Sequence, residues 1–196
     1  MRKVKKFKLT SEFIVDISGV KLFRIKALIE FGNVKAGDLG GYIEKEKNLS
    51  HMGNAWVSGN AQVFGNARVS GNAWVFGDAQ VFGNAQVFGN ARVFGNARVS
   101  GDAQVSGNAW VFGDAQVFGD ARVSGDKDYA YAHGFGSCNR TTTFFRLKDG
   151  DVGVRCGCFY GTLAQFRDNV CETHGETKKA QEYLMLADLM DFRFKN

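Results

Sequence analysis

The middle of the chain alternates apolar and polar positions with a strict period of six. From Gly53 to Ser124, twelve uninterrupted hexads read Gly, Asn or Asp, Ala, a variable residue, Val, and Phe or Ser. Within each hexad, Ala and Val lie two residues apart, so they share one face of a short strand and the variable residue occupies the other. Gly and Asn or Asp tolerate the positive φ of a sharp corner. Each hexad is therefore predicted to form a strand followed by a corner.

A short fixed period of this kind is typical of a stacked solenoid. The pattern resembles the hexapeptide-repeat left-handed β-helix, in which three hexads form one triangular coil. This resemblance implies about four regular coils, with Ala and Val filling the interior. A pentapeptide-repeat solenoid is excluded because it needs a period of five. The predicted fold is mainly β: a left-handed parallel β-helix with an N-terminal cap and a small α+β C-terminal module.

Residues 1–52 are predicted to form the N-terminal cap and a first, degenerate coil. Gly41, Ile43 and Leu49 are in register with the repeat, and the segment before them would cover the open end, since terminal repeats must shield strand edges. The stretch FGNVKAGDLGGYIEKEKNLSHMGNAWV resembles the leader of a group of hexapeptide-repeat proteins found in enterobacteria, phages and prophages. The likeness covers about residues 31–126. It implies a fold and a genomic setting, and no catalytic residues.

After the solenoid, residues 53–126, the composition changes, and residues 127–196 are predicted to form the α+β C-terminal module. The segments TTTFFRL and VGVRCGCF predict a β-hairpin around Asp149 and Gly150. Thr162 and Gly175 have the sequence pattern of a helix N-cap and C-cap. The apolar positions predicted for this first helix are Leu163, Phe166, Val170 and Cys171. A second helix is predicted over roughly 177–192, with an apolar stripe at Ala180, Leu184, Ala187 and Met190.

Composition and charge change this picture little. The absence of proline and the presence of 25 glycines favour a regular backbone over a disordered linker. The net charge of +5 comes from residues 1–50, which carry 11 Lys and Arg against 6 Asp and Glu. This excess indicates either an anionic partner or a solvated basic end.

The beginning of the chain gives expectations about location. In MRKVKKFKLTSEFIVDISGV, Glu12 and Asp16 interrupt the apolar part, so the segment does not have the pattern of a secretion signal. No stretch has the length of a membrane span, and four cysteines without such a signal suggest reduced thiols. We expect a cytoplasmic protein, in the host cytoplasm if it is phage-encoded, with no membrane partner.

The outward positions supply the candidate binding site. On one face of the solenoid, the outward-facing variable residues are predicted to form a column of Trp56, Trp74, Arg92 and Trp110. The aromatic corner residues beside it form a second column, Phe76, Phe94 and Phe112. A second face has Phe corners at Phe64, Phe82 and Phe118. A Trp and Arg column can stack planar ligands such as nucleobases. Alternatively, an apolar patch this large is buried by the C-terminal module or by another subunit. We expect burial in a homo-oligomer, a dimer or trimer.

Metal sites have weak support in the sequence. The candidate zinc ligands are Cys138, Cys156, Cys158, Cys171 and His174. The C-x-C spacing is not that of a zinc knuckle, and these thiols fall on predicted apolar faces where Cys is an ordinary core residue. Calcium bridging of the stacked Asp102 and Asp120 is the other possibility, but the Asp pattern along the corners is irregular. We predict no metal and no cofactor.

Three functions remain open. The first is a non-catalytic binding protein, a phage or prophage accessory protein that sequesters or inhibits a host factor or nucleotide signal. The second is a trimeric hexapeptide-repeat acyltransferase, which needs a catalytic histidine, whereas His51, His133 and His174 all lie outside the hexads. The third is an end-to-end polymer, which needs uncovered coil ends. The sequence favours the first and leaves catalytic activity uncertain.

Overall fold

In the computed structural model, which describes residues 4–136 and 139–195, the hexads form four coils of a parallel β-solenoid. Each coil contributes three two-residue strands, β4 to β15: Trp56–Val57, Gln62–Val63, Arg68–Val69, Trp74–Val75, Gln80–Val81, Gln86–Val87, Arg92–Val93, Arg98–Val99, Gln104–Val105, Trp110–Val111, Gln116–Val117 and Arg122–Val123. Residues eighteen apart pair in parallel, as Trp56 does with Trp74, so each face is one sheet. The predicted parallel β-helix is confirmed.

The interior of the solenoid is built from Ala and Val. Each of these residues in the twelve hexads is at most 1 % exposed. The glycine of each hexad turns the corner with a φ between 59° and 72°. At Gly89, an added Cβ would lie 2.9 Å from the backbone nitrogen of Gly107 in the next coil. The corners thus need glycine both for its left-handed backbone and because the coils stack closely.

Stacking leaves opposite backbone groups without a coil partner at the two ends. The N–H groups of each coil donate to the carbonyls of the following coil, as Trp56 does to Ala73 at 3.0 Å. The first regular coil therefore presents unpaired carbonyls and the last coil unpaired N–H groups. Because buried backbone groups need hydrogen-bond partners, the terminal modules must supply donors at one end and acceptors at the other.

The N-terminal cap supplies the donors. Its strands β1 (Phe7–Val15), β2 (Lys21–Ala27) and β3 (Leu39–Ile43) extend the second solenoid sheet, and a 3₁₀ turn spans Glu46–Asn48. On the second face, the Tyr42 N–H donates to the Ala61 carbonyl at 2.9 Å. The third face is the sheet that carries Arg68, Gln86, Gln104 and Arg122. There the side-chain amide of Asn48 donates to the carbonyls of Gly65 and Ala67. On the first face, the Lys6 ammonium donates to Ala55 and Gly53.

The C-terminal module contains more strands than the predicted hairpin. Strands β16 (Tyr129–Phe135), β17 (Arg140–Arg146), β18 (Val152–Cys156) and β19 (Phe159–Thr162) form an antiparallel sheet in chain order. The helices are α1 (Leu163–His174) and α2 (Lys178–Phe194). The Thr162 hydroxyl accepts the Gln165 N–H, and Gly175 ends α1, as the sequence predicts. The hairpin is therefore the centre of a four-stranded sheet.

The sheet of this module packs on the solenoid with one face and on the helices with the other. Phe145 and Leu147 join the core of the solenoid, whereas Phe144 and Val154 pack with the buried sides of α1 and α2.

The N–H groups of the last coil find acceptors in the segment that follows it. Trp110 N–H donates to Asp126, Ser124 N–H donates to Asp128, and Gln116 N–H donates to Thr143. The module thus closes the end of the solenoid.

Candidate functional site

The first face of the solenoid carries three columns of side chains, with one residue from each coil. We call it the aromatic face. Its outward column is Trp56, Trp74, Arg92 and Trp110; its corner column is Ser58, Phe76, Phe94 and Phe112; its amide column is Asn54, Asn72, Asn90 and Asn108. Each column is in register because the repeat has no insertion. The predicted site residues therefore belong to one face of the solenoid.

The phenylalanines of the corner column form a stack. The ring centroids of Phe76 and Phe94 are 4.8 Å apart, and those of Phe94 and Phe112 are 5.2 Å apart, with nearly parallel planes. Two tryptophans meet this stack edge-on, Trp74 against Phe76 at 6.4 Å and Trp110 against Phe94 at 6.3 Å. Offset-stacked and edge-on contacts are favourable arrangements of aromatic pairs. The aromatic face is thus a pre-formed surface whose rings support one another.

Arg92 is the single charge in the outward column. Its guanidinium lies over the Trp110 ring, 5.1 Å from the ring centroid. Within residues 4–136 and 139–195, no carboxylate forms an ion pair with Arg92. A guanidinium that stacks on an aromatic ring keeps its N–H groups free to bind an anion. Arg92 can therefore contribute both stacking and charge to a bound partner.

A groove of about 540 Å³ runs along the aromatic face. Its lining residues are Gly32, Asn33, Asn54, Ser58, Asn72, Trp74, Phe76, Asn90 and Arg92. On its polar side, the Asn72 amide donates to Asn90 at 3.1 Å, and the Asn90 amide donates to Asn108 at 3.1 Å. The volume is within the range of small-molecule sites, and the lining combines aromatic rings with amides. The groove can hold a ligand or an apolar surface of a partner.

The structure places Trp56 differently from the other predicted site residues. Trp56 is only 3 % exposed, because Phe31 of the N-terminal cap packs edge-on against it at 5.3 Å. Trp110 and Phe112, in contrast, are 45 % and 38 % exposed, although Tyr131 of the C-terminal module meets Phe112 at 5.8 Å. The accessible part of the aromatic face therefore extends from the second coil to the fourth.

The second solenoid face does not form a comparable column. Phe64 and Phe82 stack at 5.1 Å, but the next corner residue is the buried Ser100. The last corner residue, Phe118, packs against Tyr160 at 5.1 Å and lies beneath the Arg155 guanidinium. The C-terminal module thus covers the end of this interrupted column.

The three histidines lie in the terminal modules. His51 stacks on Phe7 at 4.3 Å. His133 is on β16, where its Nδ1 lies 2.9 Å from the Thr141 hydroxyl, and His174 is the last residue of α1. All three histidines therefore lie outside the regular coils.

Two of the cysteines differ from their prediction. Cys158 is exposed because β18 ends at Cys156 and the chain turns there. Cys171 is also exposed, since it follows Val170 at the edge of the buried stripe of α1. The prediction that these thiols lie on apolar faces is wrong for both. Cys156 is half-buried and accepts a hydrogen bond from the Thr142 hydroxyl at 3.2 Å.

The remaining candidate metal ligands are Cys138 and the stacked carboxylates of the corners. Cys138 is outside the described residues. Among the described residues, no group of three His, Cys, Asp or Glu side chains is arranged to hold a metal ion. Corner carboxylates instead accept amide hydrogen bonds from the preceding coil, as Asp102 does from Asn84 at 2.9 Å and Asp114 does from Asn96 at 2.9 Å. These Asp residues continue the amide ladders of the corners.

Sequence reasoning missed Phe31 as the residue that limits the site. Phe31, Gly32 and Asn33 supply the cover of Trp56 and one end of the groove. The signal in the sequence is the triplet FGN, which also occurs at the corners of the hexads. A corner triplet in the cap indicates that the chain turns there over the first coil.

One family model matches the chain, that of the YdcK Beta solenoid repeat. It matches residues 61–77, 85–101, 91–107 and 103–117, all within the regular coils. The chain is similar to this repeat family. No curated protein matches the chain. Together with the fold, the match supports a β-solenoid repeat protein, and it carries no activity. In the described part of the chain, no helix is long and apolar enough to cross a membrane.

Proposed function

We propose that the protein is a non-catalytic binding scaffold and that the aromatic face is its interaction surface. The observation that carries this proposal is the exposure of Trp110 and Phe112, which stay 45 % and 38 % exposed although Tyr131 of the C-terminal module contacts Phe112. In solenoids, function usually resides in loops inserted between repeats or on a shaped face. The twelve hexads contain no inserted loop, so the face itself is the candidate.

The favoured partner is a second copy of the chain, in a dimer or trimer. Clustered aromatic side chains that remain partly exposed mark an interaction site, and a closed symmetric assembly would bury them on every subunit. The C-terminal module contacts this face at Phe112, in the last coil, and leaves Trp74 and Phe94 for a partner. Aromatic residues and Arg are also the types enriched at protein interfaces.

Sedimentation velocity at micromolar concentration tests this proposal. We expect the wild type to sediment as an oligomer and the double variant Trp74→Glu, Phe94→Glu to sediment as a monomer that keeps the circular dichroism spectrum of the folded solenoid, with a lower thermal transition because ring contacts within the face are lost. The matched control is Gln86→Glu, Gln104→Glu, which adds the same charge on the third face and should remain oligomeric. A monomeric wild type would contradict the self-association part of the proposal.

A nucleotide is the second candidate partner, because Arg92 lies over Trp110 without an acidic partner in the described chain. A base would stack on Trp74, and its phosphate would bind the Arg92 guanidinium. In this version the protein is a phage or prophage accessory protein of the host cytoplasm that sequesters a nucleotide signal or inhibits a host factor. The resemblance of the leader supports that setting. Loss of nucleotide binding in Arg92→Gln, with a monomeric wild type, would favour this candidate.

The acyltransferase and polymer alternatives have less support. The acyltransferase needs a histidine beside the coils, whereas His51, His133 and His174 belong to the terminal modules. A polymer needs free backbone groups at both coil ends, whereas Lys6 and Asp126 bind such groups at opposite ends. An acyl-transfer assay and negative-stain microscopy of concentrated protein test these alternatives directly.

A further inference from the structure

A second groove lies on the third face of the solenoid beside the N-terminal cap and shares no lining residue with the groove of the aromatic face. It encloses about 470 Å³, and its lining residues are Lys47, Ser50, Arg68, Val69, Ser70 and Gln86. Lys47 and Arg68 also line an adjoining depression of about 120 Å³. Two cationic side chains from segments 21 residues apart in the sequence thus meet at one surface site.

The backbone beneath these two cations is held in place. Lys47 is the middle residue of the 3₁₀ turn Glu46–Asn48. The fully buried Asn48 side chain donates to the carbonyls of Gly65 and Ala67, the latter at 2.9 Å and directly before Arg68 in the chain. The Ser50 N–H donates to the Val69 carbonyl at 2.9 Å. The turn is therefore tied to the strand that carries Arg68, which fixes the origins of the two cations relative to each other.

The carboxylates nearest in sequence are bound to other groups. Glu44 accepts the Gly65 N–H at 2.6 Å and lies 3.6 Å from the Lys45 ammonium. Glu46 pairs with Lys5 at 2.7 Å. In the part of the chain that the structure describes, neither Lys47 nor Arg68 forms an ion pair. The exposed Lys47 and Arg68 therefore leave a local excess of positive charge that can attract an anion.

We propose that the groove formed by Lys47, Ser50, Arg68, Ser70 and Gln86 binds the phosphate group of a small phosphate ester. The guanidinium of Arg68 supplies a planar fork for two phosphate oxygens, and the Lys47 ammonium supplies a second charge. The hydroxyls of Ser50 and Ser70 and the amide of Gln86 are uncharged donors in the same groove. A volume of 470 Å³ leaves room for the organic part of the ester.

The test is a titration of the isotope-labelled full chain with glycerol 3-phosphate, followed by backbone amide chemical shifts at constant ionic strength. We expect saturable shifts confined to residues 47–50 and 68–70 and to Gln86, and inorganic phosphate should move the same amides. Glycerol should move none of them. Arg68→Gln should weaken binding at least tenfold, and Lys47→Gln should have a similar effect. Arg68→Gln is compatible with the fold because glutamine occupies the same column at Gln86 and Gln104.

The matched control is Arg98→Gln, which removes the same charge from the same repeat position on the second face. It should bind glycerol 3-phosphate as the wild type does, and so should Trp74→Glu, because Trp74 lines the groove of the aromatic face and not this one. Shifts that do not saturate would overturn the proposal, as would equal losses in Arg68→Gln and Arg98→Gln. Loss of binding in Trp74→Glu would also overturn it. The interpretation of this titration does not depend on whether the wild type is a monomer or an oligomer.

Discussion

The ammonium of Lys6 lies 2.7 Å from the carbonyl oxygen of Ala55, and Lys6 is only 1 % exposed. The same ammonium reaches the Gly53 carbonyl at 3.3 Å and lies 4.7 Å from the centroid of the Phe31 ring. At the other end of the solenoid, Asp126 and Thr143 accept N–H groups. Donors thus cap the carbonyl end and acceptors cap the N–H end, which is the polarity that parallel stacking demands.

Lys6→Met should destabilise the protein at pH 9.5, above the folded-state pKa of Lys6, where most of the buried side chain is neutral and its amine can still donate. Methionine can fill similar space, but it cannot donate to Ala55 or Gly53, and an unpaired buried acceptor costs about 1–3 kcal/mol. Urea unfolding measures the difference. Lys8→Met is the control, since the Lys8 side chain is exposed and makes no hydrogen bond or ion pair within the described residues; its effect should be below about 0.5 kcal/mol. Equal effects of the two variants would refute the capping role of Lys6.

Lys6 should also make stability depend on pH in the alkaline range. Burial lowers the pKa of Lys6 from 10.5 to about 8. Between these values the unfolded chain binds more protons than the folded chain, so the free energy of unfolding should rise with pH, by up to about 3 kcal/mol over the window. Burial raises the pKa of Tyr129 and Tyr160, which act in the opposite direction above pH 10. Urea unfolding from pH 7.5 to 9.5 should therefore show a slope in the wild type that Lys6→Met lacks.

The sequence predicts the repeat well because each coil packs on a neighbour with almost the same sequence. Local spacing alone therefore decides which residues, such as Val87, face the interior. The caps have no such redundancy: Lys6 meets Ala55 across 49 residues, and no periodic pattern connects them. Strands β16 and β19 were missed because their glycines and mixed polarity hide the alternation of a strand. The columns of the candidate site follow from the period, whereas the cover of Trp56 depends on cap contacts.

Val87→Asp should unfold the solenoid locally or completely, whereas Gln86→Asp should be tolerated. Val87 is fully buried, and a carboxylate there would have no partner; its neighbour Gln86 is exposed. We expect a loss of more than about 4 kcal/mol for Val87→Asp and less than about 1 kcal/mol for Gln86→Asp. Thermal unfolding by circular dichroism distinguishes them. Equal losses would contradict the assignment of inward and outward positions.

Gly89→Ala should cost more than alanine at glycines without a stacked neighbour. At Gly89 the φ of +69° is unfavourable for alanine, and the added Cβ would lie 2.9 Å from the Gly107 nitrogen. At Gly150 the φ is +94° but the space is open, and Gly125 has neither constraint. The left-handed backbone costs about 1–2 kcal/mol, so the expected order of destabilisation is Gly89, then Gly150, then Gly125. If alanine at Gly89 and at Gly150 lowers the free energy of unfolding in urea equally, close stacking of the coils does not add to the cost at Gly89.

Thr143→Val should weaken the junction between the solenoid and the C-terminal module. The Thr143 hydroxyl, which is fully buried, accepts the Gln116 N–H at 2.9 Å in place of a further coil. Valine keeps the shape but leaves this donor unpaired, at a cost of about 1–3 kcal/mol. Thr141→Val on the same strand is the control, because the Thr141 hydroxyl contacts the exposed His133 instead of a coil. Hydrogen exchange should show faster exchange of the Gln116 amide in Thr143→Val and an unchanged rate in Thr141→Val. If the Gln116 amide stays equally protected in Thr143→Val, the hydroxyl is not the acceptor that closes this end of the solenoid.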